Sequence, residues 1–307
     1  SAGGVALLGA MYLYVYGVMQ FFVGVWSDRQ GFGRVFLIGS IALAVGSVIF
    51  PLCRRPEGLY AARALVGFGA SLLFICLVKG IHHLFDPRHF AIVLSLAQFL
   101  GFWGGLMATY PLAAMTHALG WRGALLIAGG VTALLTVALG VLLRRRGLLA
   151  VPAPAGGVER LVGLVARNRA LWTIMPVCAV SFAVYFVAQA TIGKKLLSDC
   201  FQLDARAASA FMCLMLLVSM VVTLLSGFIL KFLGQRYRAI LLAGWALLAL
   251  ACAGLVAALS PALHSALGVR AAYLALAVAS FVGPIYTSAV AATVPARALG
   301  TAVGFMN

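Results

Sequence analysis

Gly24-Val-Trp-Ser-Asp28-Arg29-Gln-Gly31-Phe-Gly33-Arg34 stands between two long apolar runs, 4–26 and 35–52. Nearly all the charge of that region is concentrated in this short turn. A turn so tight between two membrane-length segments makes them antiparallel neighbours. Gly31 and Gly33 permit backbone angles that other residues avoid. Asp28 follows directly on an apolar span, where a carboxylate is costly unless paired. Arg29 and Arg34 flank it, so a local charge relay is expected here.

Composition supports a membrane setting for both runs. The chain has 307 residues, 64% hydrophobic and only 9% charged, with a mean hydropathy of +1.11. Soluble domains are typically about 45–50% apolar and about 25% charged. These values point to an all-α, polytopic integral membrane protein. The net charge of +16 would suggest nucleic acid in a soluble chain. In a membrane chain it reads as Lys and Arg collected in cytoplasmic loops, and no nucleic-acid partner is expected. Cys53, Cys76, Cys178, Cys200, Cys213 and Cys252 form no C-x-x-C pair, so metal-ligand spacing is absent. No metal or cofactor is expected.

A membrane helix needs about 20 apolar residues. Spans are predicted at 4–26, 35–52, 59–80, 90–117, 122–143, 170–193, 206–231, 239–259 and 269–293, with a tenth beginning near Arg297. Their continuous apolarity argues for helices, since barrel strands alternate. With 34 glycines, the helices can approach one another closely. If the 27–34 turn is cytoplasmic, that side carries Arg29, Arg34, Lys79, Arg88, Arg144, Arg145, Arg146, Arg160, Arg167, Arg169, Lys231, Arg236, Arg238 and Arg297. The opposite side carries Arg54, Arg55, Arg122, Lys194, Lys195, Arg206 and Arg270. That bias sets the orientation.

Arg144-Arg145-Arg146, then Pro152, Pro154, Gly156 and Gly157, mark a break. Residues 159–169 then mix Leu161, Val162, Leu164 and Val165 with Arg160, Arg167 and Arg169. This composition suits a short amphipathic helix on the inner membrane surface. The predicted organisation is an N-terminal bundle over 1–147, a cytoplasmic linker over 148–169 and a C-terminal bundle over 170–307. A repeat is visible as well. Gly227, Lys231 and Gly234 follow Gly24, Asp28 and Gly31 at an offset of 203, with Lys231 in place of the acid.

Few polar residues fall inside the spans. Arg63, in Arg63-Ala-Leu-Val-Gly67-Phe-Gly69, lies four residues into the third span. A guanidinium there costs roughly 2.5–3.5 kcal/mol on insertion scales. It either serves a wet cavity or snorkels to the outer interface. Gln20, Gln98 and Gln189 lie in the first, fourth and sixth spans, accompanied by Tyr14, Tyr16, Tyr185 and Tyr286. Each either joins helices or lines a polar interior. His82, His83, Asp86 and His89 crowd one loop, but the H-x-x-x-D spacing is one residue too short for acyl transfer. Pro87 also breaks the helix that would align a metal pair. Catalysis is not expected.

The pattern G-x-x-x-D-R-x-G-x-x-R at 24–34 resembles the signature of the major facilitator superfamily, and Arg63-to-Gly69 resembles its fourth-helix motif. Gly101-Phe-Trp-Gly104-Gly105 with Pro111 partly resembles the family's antiporter motif, but Gly105 stands where a proline belongs. That departure puts symport or uniport ahead of proton-coupled efflux antiport. The resemblance covers the whole chain as family helices two to ten with the start of eleven. The chain therefore reads as a piece of a longer one, without the first and last helices.

What the resemblance implies is a two-bundle secondary transporter in a membrane, expected to be the bacterial inner membrane, with no enzymatic activity. Alternating access would move a small polar solute, an organic anion in preference to a cation, past Arg63, Gln20, Gln98, Tyr185, Gln189 and Tyr286. Asp28, Arg29, Gly31 and Arg34 would form a gate. No G-x-x-x-x-G-K-[ST] loop is present, so a proton or another ion is the expected driving partner. The rivals are a transport-silent sensor on the same fold and a membrane-embedded enzyme.

Overall fold

The computed structural model describes residues 2–108, 110–150, 157–188, 193–201, 204–234, 236–260, 265–280 and 282–307. These residues form helices and no strand: α1 (Ala2–Gln30), α2 (Phe32–Leu52), α3 (Pro56–Leu84), α4 (Phe90–Met107), α5 (Tyr110–Arg145), α6 (Val158–Ala166), α7 (Arg169–Phe186), α8 (Gly193–Phe201), α9 (Ala205–Phe232), α10 (Tyr237–Leu259), α11 (Ala266–Ala279), α12 (Val282–Thr293) and α13 (Leu299–Met306). A 3-10 turn, Ala296–Ala298, precedes α13. Among the described residues, nine helical stretches are long and apolar enough to cross a bilayer. Leu134, Leu250 and Val256 are at least 70% exposed, as expected for side chains whose solvent is lipid.

Two of the predicted spans are divided, and the sixth, predicted over 170–193, has its α-helix end at Phe186. The fourth stops at Met107, and a new helix starts at Tyr110. Pro111 has no N–H to give to a continuing helix and is tolerated in a first turn. Within α5, Gly120 takes φ 70°, which breaks the helical path where the sequence has a Gly-Trp-Arg turn. The ninth span is divided into α11 and α12. Pro284 cannot donate to the carbonyl of Ser280, and Gly283 N–H bonds that carbonyl instead at 3.1 Å.

The chain forms two compact units. The first comprises Ser1–Leu84, Ala108–Trp172 and Val290–Asn307; the second comprises Phe85–Met107 and Thr173–Ala289. In the first, α2 packs on α3 and α5, and α1 on α3 and α13. Glycines make the α2–α3 seam tight: a methyl on Gly39 would lie 2.7 Å from Leu72 Cβ, and one on Gly46 2.8 Å from Val66 Cγ2. Leu72, Ile75 and Val35 are fully buried around this seam. The amphipathic α6 forms as predicted and buries Leu161 and Val165, packing on α13 and on the turn before it. Asn168 caps α7, accepting from the N–H groups of Ala170 and Leu171.

In the second unit α9 packs on α4, α8 and α11, and α10 packs on α11. Its core is built around Leu197, Met215, Tyr273 and Leu276. Gly234 takes φ 63° and Gly31 φ 86°, so the two turns related by the offset of 203 share a left-handed glycine.

Candidate functional site

The 24–34 turn builds a charged joint in the first unit. The Asp28 side chain is fully buried and pairs with Lys79 Nζ of α3 at 2.6 Å. It also accepts from Gly300 N–H at 3.0 Å, and from Thr301 N–H and Thr301 Oγ1–H at 2.7 Å each. The carboxylate therefore caps the start of α13, where unsatisfied N–H groups and the helix dipole both favour an anion. Lys79 donates in addition to Ser27 O at 2.8 Å. Gly24 allows this approach: a methyl there would lie 2.8 Å from Thr301 Cα and collide with the Gly300 carbonyl.

The expected relay of Asp28 with Arg29 and Arg34 does not form. Arg29 is exposed. Arg34 lies beyond the bend at Gly31 and donates through Nε to Leu149 O at 2.6 Å. Gly33 sits beneath the Leu148 carbonyl. The counter-ion is instead Lys79, which the sequence reading counted only as a basic span end. A lone lysine at the close of an apolar run, opposite a lone aspartate, was the available signal.

Two further sequence candidates lie in this unit. The Arg63 guanidinium stands over the Tyr12 ring at 5.3 Å and the Phe50 ring at 6.0 Å, so aromatic faces stabilise its charge. Tyr12 stacks on Tyr16 at 5.9 Å. Gln20 is 2% exposed. Its amide donates to Ser71 O at 3.3 Å and accepts from Asn307 Nδ2 at 3.2 Å. Gln20 therefore ties α1 to α3 and to the residue after α13.

The second unit contains a cavity of about 190 Å³ lined by residues of α4, α7, α9, α10, α11 and α12. Gln98, Tyr185 and Tyr286 meet here, so three of the sequence candidates share one wall. Gln189 lies outside the described residues. Ser181, Thr223 and Ser280 add hydroxyls, Phe102 and Phe182 add aromatic faces, and Cys178 adds a thiol. None of the lining residues is charged. The Gln98 side chain makes no hydrogen bond among the described residues. Tyr286 Oη accepts from Trp245 Nε1 at 2.6 Å and lies 2.9 Å from Ser181 Oγ. Tyr185 Oη donates to Ser219 Oγ at 3.0 Å. Ser181 and Trp245 escaped the sequence reading, because isolated serines and tryptophans are ordinary in apolar helices. Among the described residues no group of three or more His, Cys, Asp or Glu side chains is placed to hold a metal ion.

Membrane-length helices, tightly packed glycines and an uncharged, mostly apolar cavity with a few polar groups define a polytopic helical membrane protein. A family model described as Major Facilitator Superfamily matches residues 1–307, and the chain belongs to that family. Its members are transporters. The fold is similar to that of the human organic anion transporter MFSD10 (TETRAN), at a TM-score of 0.76 and 17% identity, covering 99% of this chain and 73% of that one. A bacterial homologue of the iron transporter ferroportin gives 0.78 at 13% identity, covering 99% and 79%. The proton:xylose symporter XylE gives 0.77 at 14% identity, covering 99% and 76%. The comparison with curated proteins returns no match.

Proposed function

We propose that this chain is a secondary active transporter that moves a small polar organic solute by alternating access, and that the second unit's cavity forms part of the substrate site. The observation that carries this reading is the cavity wall itself. It combines hydroxyls, aromatic faces and an amide that makes no hydrogen bond among the described residues, the mixture expected of a small-molecule site. The bundles 1–147 and 170–307, joined by the linker 148–169, would be the moving halves. The Asp28 cap on α13 would stabilise one of the two end states, with Gly31, Arg29 and Arg34 shaping the same turn. A contact made in one state alone shifts the balance between states. Asp28→Asn is therefore expected to leave the protein inserted while slowing transport.

An anionic solute is preferred over a cation. The cavity lining has no carboxylate, and Asp28 is fully engaged. Arg63 is a cation set inside a span, and a guanidinium holds carboxylate or phosphate in a fork. Flux of candidate solutes into proteoliposomes, with and without an imposed proton gradient, tests the transport reading. Absence of saturable flux for every solute class would refute it. Arg63→Lys keeps the charge and loses the fork. It should weaken half-saturation by an anionic solute about tenfold, or about 1.4 kcal/mol, and an unchanged value removes Arg63 from the site.

A further inference from the structure

The hydroxyls around the second unit's cavity are wired in fixed directions. Trp245 stands on α10 outside the cavity wall and donates its indole N–H to Tyr286 Oη at 2.6 Å. An indole nitrogen can only donate, so the phenol oxygen accepts there. Tyr286 is 1% exposed and has one proton to place. Among the described residues the acceptor within its reach is Ser181 Oγ at 2.9 Å. Either oxygen of that pair can hold the bridging proton; buried hydroxyl protons are normally paired, which favours donation from Tyr286 to Ser181.

That arrangement leaves the Ser181 proton to be directed elsewhere. Ser226, Ser280 and Ser288 each spend theirs on a carbonyl of their own helix or neighbouring turn. Ser181, among the described residues, has no such bond. Ser181 lines the cavity, so with Tyr286 as donor its proton is left for a guest there. One turn along α7 the wiring runs the other way. Ser219 Oγ donates to Ala277 O at 3.4 Å, and Tyr185 Oη donates to Ser219 at 3.0 Å, so the Tyr185 proton points away from the cavity.

We infer that Trp245 sets the hydrogen-bond polarity of the cavity, compelling Ser181 to donate, so that the site selects solutes presenting an acceptor oxygen to α7: a carboxylate, carbonyl or ether. This rests on the transport reading for the claim that the cavity is the substrate site. Gln98 and Thr223 can present either sense to a guest, so discrimination depends on Ser181. Trp245 acts as a positioning residue, through Tyr286.

Acetophenone and indole separate the two senses. They are similar in size and both neutral; the first only accepts a hydrogen bond and the second only donates one. Isothermal titration of the full chain in detergent, against a micelle blank, should show acetophenone binding about tenfold tighter than indole. Trp245→Phe keeps a ring and removes the N–H. It should bring the ratio to within about threefold with the thermal midpoint held near wild type, and Ser181→Ala should do the same. Should Trp245→Phe fail to fold, Tyr286→Phe breaks the same chain.

In the wild type, the Trp245 indole ¹⁵N–¹H resonance should move on adding acetophenone, a response that a purely structural tryptophan would not give. Equal wild-type affinities, a ratio unchanged in the variants, or no binding of either probe overturns the assignment. Saturable flux with a flat ratio sinks the polarity and leaves transport standing. An intact ratio without flux of any solute does the reverse.

Discussion

The α1–α13 joint of the first unit and the α9–α4 joint of the second are the same device built with different chemistry. Each presses a glycine against the neighbouring helix, and the two glycines are related by the offset of 203. A methyl on Gly24 would meet Gly300 and Thr301; a methyl on Gly227 would lie 2.7 Å from both Ala91 O and Ile92 Cα. Four residues further on, the joints diverge. Asp28 is buried and bound by an ammonium and three hydrogen bonds, whereas Lys231 is exposed. Across the second joint Ser95 Oγ–H reaches Leu224 O at 3.2 Å. Close packing is thus common to both joints, and the charged latch belongs to one of them.

Four substitutions would break or sharpen that contrast, in decreasing order of effect. Asp28→Leu leaves the Lys79 ammonium and two N–H groups of α13 without their partner. Breaking a buried pair in this way costs about 3–5 kcal/mol, so the thermal midpoint of the purified protein should fall sharply. A midpoint within a degree of wild type would mean that the latch carries no energy. Gly24→Ala and Gly227→Ala test the shared packing. Overfilling a close contact costs about 1–3 kcal/mol, and the two values should be similar; a large cost at position 24 alone would show that the joints are not equivalent. Lys231→Ala should be the mildest change, within about 0.5 kcal/mol as for other exposed positions. A larger loss there would reveal a latch in the second unit after all.

The first joint was half legible in the sequence. Gly24, Asp28 and Gly31 stand out because a carboxylate and paired glycines are conspicuous at the end of an apolar run. Lys79 and Thr301 do not, since Thr301 lies 273 residues from its partner and nothing local announces the pairing. Arg29 and Arg34 were misleading for the opposite reason: they are adjacent in sequence, but the bend at Gly31 and the helical turn carry them to other surroundings.

Spans were readable as apolar mass, yet hydropathy passes straight through Pro111 and Pro284. It registers their carbon and ignores their missing N–H, so two spans read as unbroken where the helices are divided. In the cavity, amides and tyrosines within spans attracted notice as costly groups. Ser181 and Trp245 matter for the direction of their protons, which only the folded arrangement sets.

The glycine seam between α2 and α3 has a consequence for biogenesis. These helices are joined by residues 53–55 alone, and Gly39, Gly46 and Gly69 interlock them backbone to backbone. Small-residue seams of this kind associate within the bilayer itself. The pair can therefore close as a hairpin as soon as α3 leaves the translocon, before any later helix has been synthesised. Its closed surface, already carrying Lys79, is then the template on which the much later α13 settles.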